Sequence, residues 1–254
     1  MKVTFLGTGT SHGVPVIGCS CTVCKSKDPK DNRLRVSVLI QKQDKNIVID
    51  TGPDFRAQML KVGIKHLDAV LLTHEHKDHV AGFDDVRAFN FWQEGDIPVY
   101  ASAHVQANLR QVNDYVFAAK KYPGVPEIAL HTIHKNQDFE AAGLTFTPIE
   151  VMHYKLPVLG FRLRDFVYIT DANFIAEEER EKIYGCEVLV LNALRYEPHI
   201  SHFSVEEAIK ISRELGAKKT YFIHMSHQIG LHEVVQKNLP ENIFLAYDGL
   251  VLNV

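Results

Sequence analysis

Apolar and polar positions along the chain repeat with two different periods, and these periods predict the secondary structure. Short runs of β-branched and other apolar residues, bounded by glycine or polar turns, predict strands. The predicted strands are 3–6, 36–40, 47–49, 69–72, 98–101, 128–133, 144–149, 159–163, 166–169, 188–191, 220–223, 243–246 and 250–252. Polar residues 41–46 separate the second and third strands and predict a hairpin.

Helical signals lie between many of these strands. We predict helices over 53–62, from 102 to about 112, and over 176–184. The best-defined helix begins with a capping box formed by Ser204 and Glu207. Ala208, Ile211 and Leu215 then recur at helical spacing, and a glycine follows as a stop. The pattern favours an α/β fold in which helices pack outside mixed sheets.

Size and composition are those of an ordinary globular protein. The chain has 254 residues, of which 46% are apolar and 23% charged. A chain of this length buries roughly 70–75% of its unfolded surface, so it needs no disulfides to fold. We find no internal repeat, low-complexity tract or long linker, and we predict a single domain over residues 1–254.

Charge and hydropathy limit the possible partners and location. The net charge of −3 disfavours a dedicated nucleic-acid binder, which carries a basic surplus. We expect no signal peptide before the first strand, and no apolar run reaches the roughly 18 residues of a spanning helix. We therefore expect a cytoplasmic protein without membrane contact, whose four cysteines are ligands or free thiols.

The most informative motif is His74-Glu75-His76-Lys77-Asp78-His79, which follows the predicted strand 69–72. A tight loop lets His74 and His76 point one way while Asp78 and His79 point another. These four side chains suffice to hold parts of two adjacent metal sites. A solvated polar loop is the competing interpretation, and it would prevail for a lone histidine.

This motif resembles the signature of the metallo-β-lactamase superfamily. The resemblance implies an αββα sandwich of two mixed β-sheets flanked by helices. The family pattern also expects a histidine, an aspartate and a final histidine at later strand ends, and His153, Asp171 and His224 fill these places in order. Asp50, in Ile-Val-Ile-Asp-Thr-Gly, matches the aspartate of the family's second strand. The resemblance covers the whole chain.

The resemblance also implies a division of the ligands between two metals. One metal is expected on His74, His76 and His153. The other is expected on Asp78, His79 and His224. Asp171 is expected to bridge both together with a water, because two cations about 3.5–4 Å apart need an anionic bridge. Imidazole and carboxylate ligands suit zinc and leave manganese open. Asp50 is expected to orient ligand histidines from behind.

One residue distinguishes hydrolysis from redox chemistry in this superfamily. The di-iron branch that reduces oxygen or nitric oxide has a glutamate where this chain has His76. The chain is therefore expected to be a hydrolase, with Asp78 and Asp171 in its catalytic centre.

Cys19, Cys21 and Cys24 form a second candidate metal site. Their C-x-C-x-x-C spacing matches that of structural zinc sites, which take four ligands. His227, three residues after His224, is a candidate for the fourth ligand. The spacing alone is equally compatible with three free or partly buried thiols that bind no metal.

A closer resemblance favours the zinc interpretation. The opening Gly7-Thr8-Gly9-Thr10-Ser11, the cysteine trio and the His224…His227 pair resemble the PhnP-type phosphodiesterases. In that group the three cysteines and the later histidine form a structural zinc site. Cys186 matches no ligand and is interpreted as a core residue.

His202 is the candidate general acid. It lies just before the capped helix, and a helix N-terminus favours an anion. In PhnP-like and tRNA-maturase-like members, a histidine at this place contacts the phosphate and protonates the leaving oxygen. An ordinary loop histidine is the competing interpretation, and His199 is a rival that fits the pattern less well.

These features predict a phosphodiesterase that acts on a small phosphodiester, and the PhnP resemblance implies a cyclic one. Two alternatives use the same fold: tRNA 3′-end processing and thioesterase or lactamase chemistry. The cysteine trio and the absence of a basic, glycine-rich arm disfavour stable tRNA binding. A non-catalytic metal-binding protein is the rival from another class. Segment 114–126 is interpreted as a lid or a dimer contact, which leaves a homodimer open.

Overall fold

Two seven-stranded sheets and eight α-helices make up the computed structural model, which describes residues 1–254. The strands are β1 (Lys2–Gly7), β2 (Ser37–Lys42), β3 (Lys45–Ile49), β4 (Ala69–Leu71), β5 (Ile97–Ala101), β6 (Ile128–Thr132), β7 (Phe139–Ala141), β8 (Leu144–His153), β9 (Leu156–Leu163), β10 (Phe166–Tyr168), β11 (Val188–Asn192), β12 (Lys219–Ile223), β13 (Ile243–Leu245) and β14 (Val251–Asn253). The helices are α1 (Phe55–Val62), α2 (Lys77–Val80), α3 (Arg87–Gln93), α4 (Ala103–Val112), α5 (Asp114–Phe117), α6 (Glu177–Arg180), α7 (Val205–Glu214) and α8 (His232–Asn238).

Both sheets are mixed. The first has the order β14-β1-β2-β3-β4-β5-β6, and the second has the order β13-β12-β11-β10-β9-β8-β7. In the first sheet, pairing is antiparallel from β14 to β3 and parallel from β3 to β6. In the second, it is parallel from β13 to β10 and antiparallel from β10 to β7. The prediction of two mixed sheets flanked by helices is confirmed.

The first sheet buries both of its faces. Successive side chains of a strand point to opposite faces, and on β3 Ile47 and Ile49 enter the core between the sheets. Val48 points the other way and packs with Phe55 of α1 and Val105 of α4. Helices therefore cover the outer face of this sheet.

The second sheet repeats this arrangement on the opposite side of the molecule. Val188 and Val190 of β11 enter the core between the sheets. Leu189 and Leu191 face an outer core that includes Ala208 of α7. A strand buried on both faces is a continuous apolar run, as the sequence of β11 shows. The layers are thus helix, sheet, sheet and helix.

Several predicted boundaries were wrong. Strand β8 runs to His153 rather than ending at residue 149, because it pairs with β9 along its whole length. Helix α6 covers only Glu177–Arg180, and the chain then turns to bury Ile183. Helix α3 was not predicted, because two of its aromatic residues, Phe91 and Trp92, are exposed. No helix has the length and apolar content needed to cross a membrane.

Candidate metal centre

The predicted ligands gather where strands of the two sheets end at a common edge. Asp50 follows β3 directly, and His74 lies three residues after β4. In the second sheet Asp171 lies three residues after β10, His224 follows β12, and His153 is the last residue of β8. Open α/β sheets place their ligand sites at the carboxyl ends of parallel strands. The fold therefore brings together residues far apart in sequence.

Three of these residues have backbone torsions that L-amino acids rarely adopt. The φ angles are 64° at Asp50, 53° at Asp171 and 55° at His224. Left-handed torsions at non-glycine residues cost roughly 1–3 kcal/mol each and persist where the surrounding structure holds them. Such residues concentrate at functional sites. Their occurrence at three turns around one cluster indicates that this edge of the sandwich is functional.

Asp78 and His79 lie in the one-turn helix α2, and the prediction of a tight loop for them was wrong. The amide of His79 donates to the carbonyl oxygen of His76 at 2.9 Å, which starts the turn. Gly52 allows this turn to approach the loop after β3. A Cβ atom at Gly52 would lie 2.1 Å from the carbonyl oxygen of Asp78.

One group of four ligands surrounds a common point. The ligand atoms of Asp78, His79, Asp171 and His224 all lie within 4.8 Å of one another. His79 Nε2 is 3.2 Å from both Asp78 Oδ2 and Asp171 Oδ2. His224 Nε2 is 3.4 Å from Asp78 Oδ2 and 3.3 Å from Asp171 Oδ1. Two carboxylates and two imidazoles thus face each other across a gap.

A second group of histidines adjoins the first. The ring centroids of His74 and His76 are 4.6 Å apart, and those of His76 and His153 are 5.1 Å apart. His153 also belongs to a group with Asp171 and His202, whose ligand atoms lie within 4.8 Å of one another. Asp171 is therefore shared between the two halves of the cluster.

Buried hydrogen bonds hold the ligands in orientation. His79 Nδ1 donates to Asp50 Oδ2 at 2.7 Å, and this carboxylate also accepts from the amide and hydroxyl of Thr73. His153 Nδ1 donates to the carbonyl oxygen of Ser201 at 2.8 Å. A histidine whose second nitrogen is bound in this way presents a fixed nitrogen to a metal.

Sequence reasoning missed three of these supporting residues: Thr73, Thr170 and Ser201. The hydroxyl of Thr170 donates to Asp171 Oδ2 at 2.6 Å. Each of the three immediately precedes a candidate site residue in sequence. Their position beside a candidate site residue was the available signal. Adjacency in sequence alone does not show whether such a residue hydrogen-bonds to the site or faces solvent.

The electrostatics of the cluster fit a cation. Burial lowers the pKa of His79, but the carboxylates of Asp171, Asp78 and Asp50 outweigh it and hold the pKa well above its usual value. Burial raises the pKa of Asp171, but the charges of His224 and His79 outweigh it. Two buried carboxylates, Asp50 and Asp171, and the partly buried Asp78 lie close together and need compensating positive charge. A bound metal supplies that charge and displaces the protons.

His74, in the other half of the cluster, is in the form that binds metals. Burial lowers the pKa of His74 well below its usual value, so its ring is neutral near pH 7. His74 Nε2 is buried and makes no hydrogen bond within the protein. A neutral imidazole whose buried nitrogen has no partner within the protein has a lone pair that can bind a metal. The cluster as a whole can therefore hold divalent metal.

The three cysteines converge on His227. Its Nδ1 atom lies 3.4 Å from Cys19 Sγ, 3.3 Å from Cys21 Sγ and 3.6 Å from Cys24 Sγ. Tetrahedral zinc with ordinary Zn–S and Zn–N bonds places these atoms about 3.5 Å apart. Hydrogen bonds from the amide of Cys24 and from His227 lower the pKa of Cys21 to about 6. This second cluster has the geometry of a structural zinc site.

His202 lies beside the shared aspartate. Its Nδ1 atom is 3.7 Å from Asp171 Oδ1, and the residue is buried. Burial and the neighbouring His224 lower the pKa of His202 to about 3. The rival His199 is more exposed, and its ring centroid is 5.2 Å from that of His202. The two histidines thus lie at different depths on the same side of the cluster.

Cys186 has no place in either cluster. It is fully buried in the outer core of the second sheet, and burial raises the pKa of its thiol to about 11.

Comparisons with known proteins agree with this geometry. Residues 45–225 match the family model of the beta-lactamase superfamily domain. A solved structure described as a new diphosphatase from the PhnP family is 40% identical, has a TM-score of 0.93 and aligns over 99% of this chain and 96% of its own. Zinc-bound PqqB from Methylobacterium extorquens is 20% identical and has a TM-score of 0.82 over both full lengths, which shows the shared fold.

The chain therefore belongs to the β-lactamase superfamily of metallo-hydrolases, and within it to the PhnP family. A protein from Porphyromonas gingivalis named octanoyltransferase is 43% identical over 98% of this chain. The match covers 51% of that relative, so the chain spans about half of its length.

Proposed function

We propose that the chain is a phosphodiesterase that uses two divalent metals to hydrolyse a small, cyclic phosphodiester. The position of Asp171 carries this proposal. Its carboxylate oxygens lie 3.2 Å from His79 Nε2 and 3.3 Å from His224 Nε2 on one side. On the other side, a carboxylate oxygen lies within 4.8 Å of the ligand atoms of His153 and His202. A shared carboxylate of this kind is what two closely spaced cations require. The 40% identical diphosphatase supports chemistry at phosphorus.

The residues divide into two metal-holding sets with Asp171 between them. His74, His76 and His153 would hold one metal, and Asp78, His79 and His224 would hold the other. The two metals, zinc or manganese, supply Lewis acidity that acidifies water and neutralises charge developing on the phosphate. Asp50 fixes the His79 ring through its 2.7 Å hydrogen bond. Cys19, Cys21, Cys24 and His227 hold a structural zinc away from the reaction.

His202 protonates the leaving oxygen. Its buried ring is neutral in the free protein, because burial lowers its pKa. A bound phosphodiester brings a negative charge next to the ring, and a nearby opposite charge favours the protonated form. The catalytic proton therefore accompanies substrate binding. Proton donation by a positioned histidine contributes about 10²–10⁴-fold to such reactions.

A thioesterase is the second candidate, favoured by the P. gingivalis relative named octanoyltransferase. The same metals and Asp171 could activate water towards an acyl thioester. An acyl-enzyme route through cysteine has no support in this chain. Cys186 is buried with a raised pKa, and the other three cysteines converge on His227.

The test is hydrolysis of bis(p-nitrophenyl) phosphate and of a ribose cyclic phosphate by protein whose metal content has been measured. We expect His202→Ala to keep both active-site metals and to lose about 100-fold or more in turnover. His134→Ala, which changes an exposed histidine, is the matched control. Full turnover in His202→Ala would contradict the role of His202. Cleavage of octanoyl thioester alone by the metallated wild type would favour the second candidate.

The proposal extends to the surroundings of the enzyme. We expect it to act in the cytoplasm on a soluble substrate, without a membrane and without stable nucleic-acid binding. Segment 114–126 remains the candidate for a lid or a homodimer contact. The hydroxyl of Tyr115 in this segment donates a hydrogen bond to Asp84 Oδ1. Asp84 lies four residues after helix α2, which carries Asp78 and His79.

A further inference from the structure

A cavity of about 470 Å³ opens beside the metal cluster. His76 and His153 form one side of it, so a group in this cavity lies next to the reacting centre. Tyr154, Lys155 and Ile200 form much of the remaining lining. None of these three residues has a part in holding metal.

The tip of the β8–β9 hairpin forms one wall of this cavity. His153 pairs with Leu156, so Tyr154 and Lys155 are the two residues of the turn. The backbone amide of Tyr154 donates to Asn173 Oδ1 at 2.7 Å. The backbone amide of Asn173 donates in turn to the carbonyl oxygen of Met152 at 2.9 Å. The turn is therefore tied to the segment that follows Asp171. A wall fixed in this way keeps a constant position relative to the metal cluster.

The turn places a large aromatic ring where the backbone favours glycine. Tyr154 has a φ of 57°, and the first residue of a two-residue hairpin turn with positive φ is commonly glycine or asparagine. Its side chain is nevertheless 51% exposed, and that of Ile200 across the cavity is 66% exposed. The strain and the exposure of Tyr154 have no compensation in the packing of the core. Gln43 and Arg164 adopt similar torsions in other hairpin turns, so the exposed aromatic ring beside the metal cluster is what distinguishes Tyr154.

We propose that Tyr154 and Lys155 determine substrate specificity, an inference that rests on the proposed phosphodiesterase function. Tyr154 stacks on the planar base of a nucleoside that is esterified to the scissile phosphate, while Lys155 attracts the phosphodiester anion. The substrate class is thus a nucleoside phosphodiester. Stacking of a base on an aromatic side chain tolerates any base, because each base has a π-face.

The charge of Lys155 favours a nucleoside over an acyl chain as the group that occupies the cavity. Its Nζ atom lies 5.3 Å from the centroid of the Tyr154 ring, within the same cavity. Burying an ammonium group against an alkyl chain removes water from the charge without giving it a partner. The polar edge of a base, the ribose hydroxyls and the phosphate all offer acceptors to it. The cavity therefore suits a nucleoside better than an octanoyl chain.

The experiment compares three phosphodiesters that release the same p-nitrophenolate and carry the same single charge. Their second ester is methyl, octyl or the 5′-oxygen of thymidine. Metal-loaded wild type is expected to show a KM about 10-fold lower for the thymidine ester than for the methyl ester, with a similar kcat. Thymidine monophosphate is expected to inhibit about 10-fold more strongly than methyl phosphate, which provides a second readout.

Variants of each residue distinguish the contribution of Tyr154 to KM from that of Lys155. Tyr154→Ala keeps a Cβ at the strained position and is expected to reduce the ratio of the two KM values to about one, while Tyr154→Phe keeps the ratio. Lys155→Met is expected to raise both KM values by the same factor. Tyr184→Ala changes an exposed tyrosine outside the cavity and outside segment 114–126, and it is the matched control.

Three results would overturn the specificity proposal: equal KM values in the wild type, an unchanged ratio in Tyr154→Ala, or a preference for the octyl ester. Failure of the proposed function gives a different result. In that case the fully metallated wild type cleaves none of the three esters, including the methyl ester, which needs no specificity cavity.

Discussion

Asp50 Oδ2 lies 2.7 Å from His79 Nδ1, and both side chains are fully buried. The bond fixes which nitrogen of His79 faces Asp78 and Asp171. It also keeps negative charge behind the ring, which makes the other nitrogen a stronger ligand. Asp50 thus fixes the orientation and raises the basicity of a candidate metal ligand.

Asp50→Asn is expected to weaken the metal site without unfolding the chain. The amide can still accept from His79, but it carries no charge, so metal affinity should fall by about 10–100-fold. Competition with a chelator measures this affinity. Asp44→Asn removes an exposed carboxylate and should leave the affinity unchanged. Equal affinities of Asp50→Asn and the wild type would contradict the orienting role.

Gly52→Ala is expected to displace the helix that carries Asp78 and His79. The added Cβ would lie 2.1 Å from the carbonyl oxygen of Asp78, so the backbone of α2 must move. A displacement of about 1 Å at a catalytic group costs about 100-fold in rate. Gly95→Ala is the control, because an added Cβ there meets nothing within 4 Å. Hydrolysis rates of the two variants, together with their metal contents, test this expectation.

The cysteine cluster is expected to stabilise the fold rather than to take part in the reaction. Cys21→Ser should remove one zinc per chain and lower the Tm by about 10 °C, since 1 kcal/mol shifts the Tm of a chain this long by roughly 2–4 °C. Cys186→Ser, at a buried cysteine outside the cluster, should keep the full zinc content while losing stability. If Cys21→Ser retained the zinc content of the wild type, the cluster would not be a zinc site.

Asp248 is expected to make stability depend on pH. Its carboxylate accepts from the hydroxyl of Thr8 and the amide of Leu34, but burial outweighs these bonds and raises its pKa to about 6. The folded chain therefore binds a proton more tightly than the unfolded chain, so stability falls as the pH rises from about 4 to about 6.

Asp248→Asn removes this dependence. Relative to the variant, the wild type should gain about 2 kcal/mol in free energy of unfolding between pH 7 and pH 4, a figure reduced for the partial exposure of Asp248. Urea unfolding of both proteins at the two pH values measures the difference. A constant difference between them would show that Asp248 titrates at its ordinary pKa.

The sequence predicted those ligands whose signal is local. His74, His76, Asp78 and His79 fall within six residues after an apolar strand, and the spacing of the cysteines is equally compact. The architecture of two mixed sheets and the later ligands followed from family resemblance, because no local pattern joins Asp171 to residues almost 100 positions earlier.

Other features depend on tertiary structure and left no pattern in the sequence. The hydrogen bonds of Thr73 and Ser201 to the cluster arise only when distant strand ends meet. The positive φ of Tyr154 and the exposure of Trp92 contradict local preferences, so a pattern of apolar positions cannot indicate them. The short helix α2 forms around the metal motif and has no apolar periodicity.

The central claim is that the chain hydrolyses a phosphodiester with divalent metals that its histidine and aspartate cluster would hold, and Asp78→Ala tests it most directly. The measurement is the rate of bis(p-nitrophenyl) phosphate hydrolysis, with manganese or zinc, by the wild type and by Asp78→Ala at measured metal content. We predict metal-dependent hydrolysis by the wild type and a loss of at least about 100-fold in the variant. Absence of hydrolysis by a fully metallated wild type, or equal rates in the two proteins, would contradict the claim.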